Sequence, residues 1–549
     1  MLIRLPSRRW LLPAAFMLLM PAARAAGQGT TPVAPSDPAY RDVDRLAQLG
    51  LLDSVILGQR PYSRREMSRI TALARARLST GTAGLARPGE AASIVDRLAE
   101  RFGDAGAARP ASERLVLLDG AALGAVSTDA DRRGFAGTFP AKLEATIDPL
   151  SLPRRLGPPA PRGESAALEL AQRAEPVRWL SLHARERFEL ALPRPAGGAD
   201  ARSDLLLGGV RARVRNLALS AGREQLAWAT TDEEGLFLSA DAPALDQLSL
   251  AADRPFFLPG FLRAFGPTQA TLLLADLGRS EVRSHSRLLA YKVSIRPQGS
   301  LELGATFLNH FGGAGSPGAS LGNRLIDFLP FVDIFRRHNY TDPTRQMDVE
   351  SDKLLGVDAR LRLARLGGLT LATELLIDDF DVHRIPTLFG WDGSQTFSAL
   401  LPSVAGSAYS LRLSAAHTGV RTYTHGPLSN GITTRGILLG DELGPDAKAF
   451  GAAVTWHGQQ GARVALAART ELYSRSDYVI LDQLTRFDLH RSGTVTNELR
   501  DRLVASVEAP QPGGLTLIAR AGAERIRNAD FTAARRHSYR LDIALRLDR

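Results

Sequence analysis

From Tyr539 to Leu547 the chain alternates without a break. Tyr539, Leu541, Ile543, Leu545 and Leu547 fall on one face; Arg540, Asp542, Ala544 and Arg546 fall on the other. Successive side chains of a β-strand point to opposite faces, so this segment has one apolar and one charged surface. The pattern recurs. Val210, Ala212 and Val214 alternate with Arg211, Arg213 and Arg215, and Leu289, Tyr291, Val293 and Ile295 with Lys292, Ser294 and Arg296. Leu355, Val357, Ala359, Leu361 and Leu363 oppose Asp358, Arg360 and Arg362; Leu371 and Leu375 oppose Glu374. Tyr409, Leu411 and Leu413 oppose Arg412, and Leu517 and Ala519 oppose Arg520. Leu143, Ala145 and Ile147 alternate with Lys142, Glu144 and Thr146 in the same way. Gly-, Pro- and Asp-rich breaks at 310–320, 425–435 and 509–514 separate such runs.

A soluble sandwich also alternates, but charges recurring on one face of so many strands suit the wet interior of a barrel. The expected fold is all-β: a large antiparallel outer-membrane β-barrel over 109–549. At about 25 residues per strand and loop it has roughly 16–18 strands. Aromatic residues are only 6%, so the aromatic girdles of such a barrel are expected to be sparse.

The start of the chain reads as an export signal over 1–25. Arg4, Arg8 and Arg9 are a basic leader, the run from Trp10 to Met20 an apolar core, and Ala23-Arg24-Ala25 a small-x-small cleavage site. The apolar run falls short of the ~18 residues of a spanning helix, as does every later stretch. Cysteine is absent, which rules out disulfide staples and a lipidated Cys. Without the four signal arginines the net charge of +10 falls to +6. Lysine occurs only at Lys142, Lys292, Lys353 and Lys448, so the basic charge is nearly all Arg. A GC-rich genome gives that bias; so does binding of anionic sugars or phosphates, which the guanidinium fork contacts in pairs. The basic residues form no aromatic-laced patch, so nucleic acid is not an expected partner.

Between signal and barrel lie a linker, 26–36, and a periplasmic helical bundle, 37–108. Asp37 and Pro38 open a helix lined by Val43, Leu46 and Leu49. Ser63 and Glu66 form a capping box ahead of Met67, Ile70 and Ala74. Pro88 to Phe102 gives a third helix, with Ile94, Val95, Leu98 and Phe102 inward and Gly103 as its stop.

Motifs that would carry chemistry lack their context. Gly318-Ala319-Ser320-Leu321-Gly322 matches a nucleophile elbow, and Gly313, Gly315 and Gly318 a dinucleotide pattern, yet both sit in a Gly-rich loop. Asp378, Asp379 and Asp381, with His383, suit Ca²⁺ or acid–base work, but equally a solvated acidic strand end. No cofactor, metal or enzymatic activity is expected.

Several blocks in order carry a resemblance. They are Gly222-Arg223 with Trp228 and Gly235-Leu236-Phe237-Leu238-Ser239; Asn309-His310-Phe311-Gly312-Gly313; Glu374 to Asp379; and Tyr423-Thr424-His425 with Gly436 to Gly440 and Gly444-Pro445-Asp446-Ala447. With Arg60-Pro61-Tyr62-Ser63, they resemble the capsule-assembly Wzi family. Ala229 after Trp228 and the Asp548-Arg549 ending depart from that pattern. The resemblance implies a monomeric outer-membrane barrel with a periplasmic helical bundle. It implies a non-enzymatic lectin for capsular polysaccharide, assembled by the barrel assembly machinery among outer-membrane lipid and lipopolysaccharide. The rivals are a porin-like diffusion channel and a lipopolysaccharide-modifying enzyme. Sugars bind to planar polar groups and aromatic faces. The candidate contacts for an anionic polysaccharide are therefore Arg360, Arg362, Arg412 and Arg520 in the lumen, with Trp391, Tyr423 and His425 in or beside loops. Pairing with Asp358, Glu374 and Glu524 competes for those arginines.

Overall fold

The fold was analysed in a computed structural model. It describes residues 30–548 apart from 82–84, 86, 104–114, 131–132, 135–145, 148–149, 151–159, 178, 194–197, 231–234, 240–241, 280, 317, 319–320, 330–350, 379–392, 421, 424–427, 429–430, 475, 483–485 and 492–495.

Eighteen strands make the wall. They are β1 Leu115–Thr128, β2 Gly163–Val177, β3 Leu180–Pro193, β4 Asp200–Val214, β5 Leu217–Glu224 and β6 Leu245–Ala252. Next come β7 Pro267–Asp276, β8 Arg287–Gln298, β9 Leu301–Phe311, β10 Ser351–Leu363, β11 Leu369–Asp378 and β12 Gly393–Leu401. The last six are β13 Tyr409–Thr418, β14 Ala447–His457, β15 Arg463–Tyr473, β16 Glu498–Gln511, β17 Leu515–Ala529 and β18 Ala534–Asp548. Phe256–Phe257 continues β6 along β7. Each strand pairs antiparallel with its chain neighbours, and β1 pairs with both β2 and β18, closing the sheet. Closure leaves no unpaired edge, as a lipid surround demands. The alternation read from the sequence is the inside–outside alternation of this wall. Ile543 is 59% exposed on the outer face, while Arg540, three residues earlier, is 2% exposed within.

Connections at one end are short, such as 215–216, 299–300 and 512–514; those at the other end include 129–162, 312–350 and 419–446. The helices α1 Ala39–Gln48, α2 Arg64–Thr80 and α3 Pro88–Phe102 pack at the short-turn end around Tyr40, Leu46, Met67, Ile94 and Phe102. Asp37 caps α1 through the Ala39 N–H at 2.9 Å, and Ser63 caps α2 through the Glu66 N–H at 3.1 Å. The Glu66 carboxylate completes no box; it takes Arg69 instead, at 2.5 Å. The segment expected to be a linker is packed from Thr30 on, with Val33 donating to Tyr62 O at 2.8 Å.

The bundle is bolted to the wall. Glu302 accepts from the Leu57 and Gly58 N–H groups, Arg45 donates to Pro402 O, and Arg546 to Ser36 O. The described parts of two long-end segments also fold into the lumen. The first, 225–244, reaches down until Arg60 and Ala227 exchange backbone hydrogen bonds; the second, 419–446, lies over it. The expected strand around Leu143 does not belong to the wall. Its described part, Thr146–Ile147, joins Arg133–Gly134, Thr433–Thr434 and Ile437–Leu438 in a separate small sheet. Two of these partners lie in the long-end segment 419–446. A short helix, α4 Leu321–Asp327, follows the Gly-rich loop.

Candidate functional site

The interior divides into two unlike halves. Along β6–β11 the inward loop fills the lumen. Trp228, Leu236, Phe237 and Leu238 pack on Leu273, Leu288, Leu308, Leu354 and Leu376, and Tyr423 closes the top. Gly356 is required here, because a Cβ would stand 2.0 Å from the Phe237 ring. The polar wall residues of this half hold the loop. Lys292, fully buried, reaches Asp358 at 2.8 Å and Trp228 O at 3.3 Å. Asp358 also takes the Thr230 hydroxyl, and Glu374 accepts from the Thr230 and Leu236 N–H groups at 2.7 and 2.8 Å. Each of these three buried charges thus has a charged or hydrogen-bonding partner, as a dry interior requires.

Along β12–β17 the wall faces a cavity of about 320 Å³ instead, bounded by α1 and α3 on its inner side. Between its arginines many of the wall residues pointing into it are small, which leaves the room: Gly451 and Ala453 on β14, Ala465 and Ala467 on β15, Ser506 on β16. Eight arginines line it against five carboxylates. Arg41, Arg45 and Arg97 come from the bundle; Arg412, Arg463, Arg469, Arg502 and Arg520 come from the wall. Several are aimed by acids beside them. Arg45 makes a two-pronged contact with Glu90 at 2.6 and 2.9 Å. Arg469 meets Glu471 at 3.0 Å, Arg502 meets Glu524 at 2.9 Å, and Arg520 meets Glu508 at 3.5 Å. Within the N-terminal segment, Arg101 of α3 grips Asp37 with both prongs at 2.6 Å. Burial raises the Asp37 carboxyl, but Arg101 and Arg546 outweigh it and hold the group well below the usual carboxylate range.

The candidates from the sequence part company here. Arg412 and Arg520 line the cavity together. Arg360 and Arg362 face the inserted segments: Arg360 donates to Thr230 O at 3.3 Å and Arg362 to Gln48 O at 3.1 Å. Tyr423 is buried; its hydroxyl donates to Leu236 O at 2.5 Å and accepts from the Asp441 N–H at 3.1 Å. Its N–H donates to Asp378, which ties that acid to the loop; Asp379, Asp381 and His383 lie outside the described residues, as do Trp391 and His425. Sequence reasoning missed Arg469 and Arg502, and the arginines of α1 and α3. The pair Arg469–Glu471 was visible as a same-face cation and acid two apart. Nothing in the sequence set the helices against β12–β17.

Residues 157–539 match the model of a family described as capsule assembly protein Wzi. The chain belongs to that family. A solved structure of Escherichia coli Wzi covers 94% of this chain and 99% of that one, at 15% identity and a TM-score of 0.65. It is described as an outer-membrane protein involved in group 1 capsule assembly and a carbohydrate-binding β-barrel. Pseudomonas aeruginosa OprD overlaps 78% of this chain and 94% of its own, at 10% identity and a TM-score of only 0.40. No curated protein matches the sequence. At such identity the Escherichia coli structure supports the barrel, with its helices, as the shared fold.

Proposed function

We infer that this chain is a non-enzymatic outer-membrane barrel that binds an anionic surface polysaccharide and helps assemble or retain it at the cell surface. The observation that carries the reading is the arginine-lined cavity between the bundle and β12–β17. Its volume lies within the usual range of ligand sites, and its guanidinium forks suit carboxylated sugars in pairs. Family membership and the carbohydrate-binding description of the Escherichia coli protein support it. Arg412 and Arg520 are the contacts proposed in the cavity, with Trp391 and His425 at the long-loop end. The short-turn end with its bundle faces the periplasm, following the usual barrel asymmetry. The export signal over 1–25 lies outside the described residues and completes the same reading, as do assembly by the barrel machinery and a monomeric state.

A deletion strain, complemented with wild type or with Arg412→Gln/Arg520→Gln, tests the proposal through cell-bound and shed polysaccharide. Deletion should shift polysaccharide into the medium, and only wild type should restore it. An unchanged partition on deletion removes the capsule role. Full rescue by the double variant removes the lumen site. The diffusion-channel rival has the bundle and 225–244 against it, since both stand in the lumen. Large steady conductance in planar bilayers would favour it.

A further inference from the structure

The outer face of β14–β18 changes character in a single step. One outward row runs Ala452, Ala468, Leu503, Ala523 and Tyr539 across the five strands, paired residue to residue. It ends the apolar band that continues below as Leu541, Ile543 and Leu545, all exposed. The next outward row toward the long-loop end is Phe450, Thr470, Asp501, Arg525 and His537. The row beyond brings Arg527 opposite Arg535.

Two features make this more than a solvated rim. Between the two rows lies a shallow groove of about 640 Å³, opened by the alanines at 452, 468 and 523 and walled by Phe450 and Leu503. And the two arginines and the imidazole above it are available. The side chains of Arg525, Arg535 and His537 make no hydrogen bond or ion pair to another described residue. The acid in the row, Asp501, is already committed to Thr470 at 3.0 Å and Arg527 at 3.1 Å.

We propose that this patch binds an acylated, phosphorylated glycolipid of the outer leaflet. The phosphate sits on Arg525, Arg535 and His537, and an acyl chain lies in the alanine groove beneath. The proposal uses the outer-membrane placement of the barrel but not the glycan reading, since no residue of the lumen cavity takes part. Position argues for lipid over a soluble anion: the cations stand directly above the apolar band, at the depth of phosphate headgroups. Arg is the residue suited to phosphate, and groove and charge together match a molecule with both parts.

The test is lipopolysaccharide binding to the purified full-length barrel in nanodiscs of neutral phospholipid. Wild type should bind phosphorylated lipopolysaccharide at least tenfold tighter than the enzymatically dephosphorylated form. Arg525→Gln/Arg535→Gln should abolish that preference. Ala523→Phe, which fills the groove, should weaken binding of both forms. Retention of the heat-dependent gel shift and of polysaccharide binding in the lumen would show that the variants fold. Equal binding of the two forms by wild type overturns the proposal, as does an unaltered preference in the double variant. Competition by inorganic phosphate or deacylated headgroup as effective as intact lipid would overturn the acyl part, leaving a bare anion site.

Discussion

The two halves of the lumen are built from the same alternating strands and do opposite things. On β6–β11 the inward positions carry Lys292, Asp358 and Glu374, and every one is spent on the inserted loop. On β12–β17 they carry alanine, glycine and arginine, and a cavity remains. A charge facing inward is therefore no guide by itself to binding. What matters is whether a protein segment reaches it first. In the dry half the loop brings backbone N–H groups, which carboxylates accept. In the open half the wall brings guanidinium groups, and α1 and α3 leave room beside them.

The dry half should be the more fragile. Lys292→Met strands Asp358 beside Glu374 without its cation, which should cost about 3–5 kcal/mol. Unfolding in detergent, followed by the heat-dependent gel shift, measures it; a loss below about 1 kcal/mol would mean that this half is not dry. Tyr423→Phe leaves Leu236 O and the Asp441 N–H without their partner and should cost about 1–3 kcal/mol by the same assay. In the open half the effect should move from stability to affinity. Arg412→Gln or Arg520→Gln should weaken anionic oligosaccharide binding about tenfold, or about 1.4 kcal/mol, by calorimetry. The unfolding midpoint should stay near wild type. Should both variants unfold instead, the contrast between the halves fails.

The smallest effect concerns the segment lying over the dry half. Glu281 accepts the Thr433 hydroxyl at 3.0 Å, and burial pushes its carboxyl up to about 8 against the opposing hydrogen bond. At acid pH both docked and undocked segments hold the proton, and docking is strongest. As pH rises toward 8 the undocked carboxyl ionises first, so docking weakens. Protection factors of the amides at 432–439, with the intrinsic rise of exchange with pH divided out, should fall from pH 5 to 8, and Glu281→Gln should flatten that fall.

Much of the frame was legible because it rests on local rules. The strand read at Tyr539–Leu547 lies inside β18, and the third helix spans Pro88–Phe102 as its cap residues implied. Residue period and capping chemistry need only near neighbours. The 225–244 segment was not readable as a filler of the lumen. Trp228 and Phe237 find their strand partners 36 to 148 residues away, from Leu273 to Leu376, on strands whose curvature brings them round. For the same reason Arg360 and Arg412, alike in sequence as arginines on the polar face of alternating strands, end in different surroundings. Arg360 lies under Thr230 and Arg412 beside small wall residues.

The seam between β1 and β18 has one more effect. Asp548, at the end of β18, meets Arg101 of α3 at 3.7 Å, and Arg546 reaches Ser36 O; Thr31 bonds Glu175 on β2 at 2.7 Å. The seat of the bundle thus straddles the last strand and the first two. Those three lie side by side only after the sheet has zipped into a ring. An open sheet could offer the bundle only part of these contacts at once, so the complete seat exists only in the closed ring.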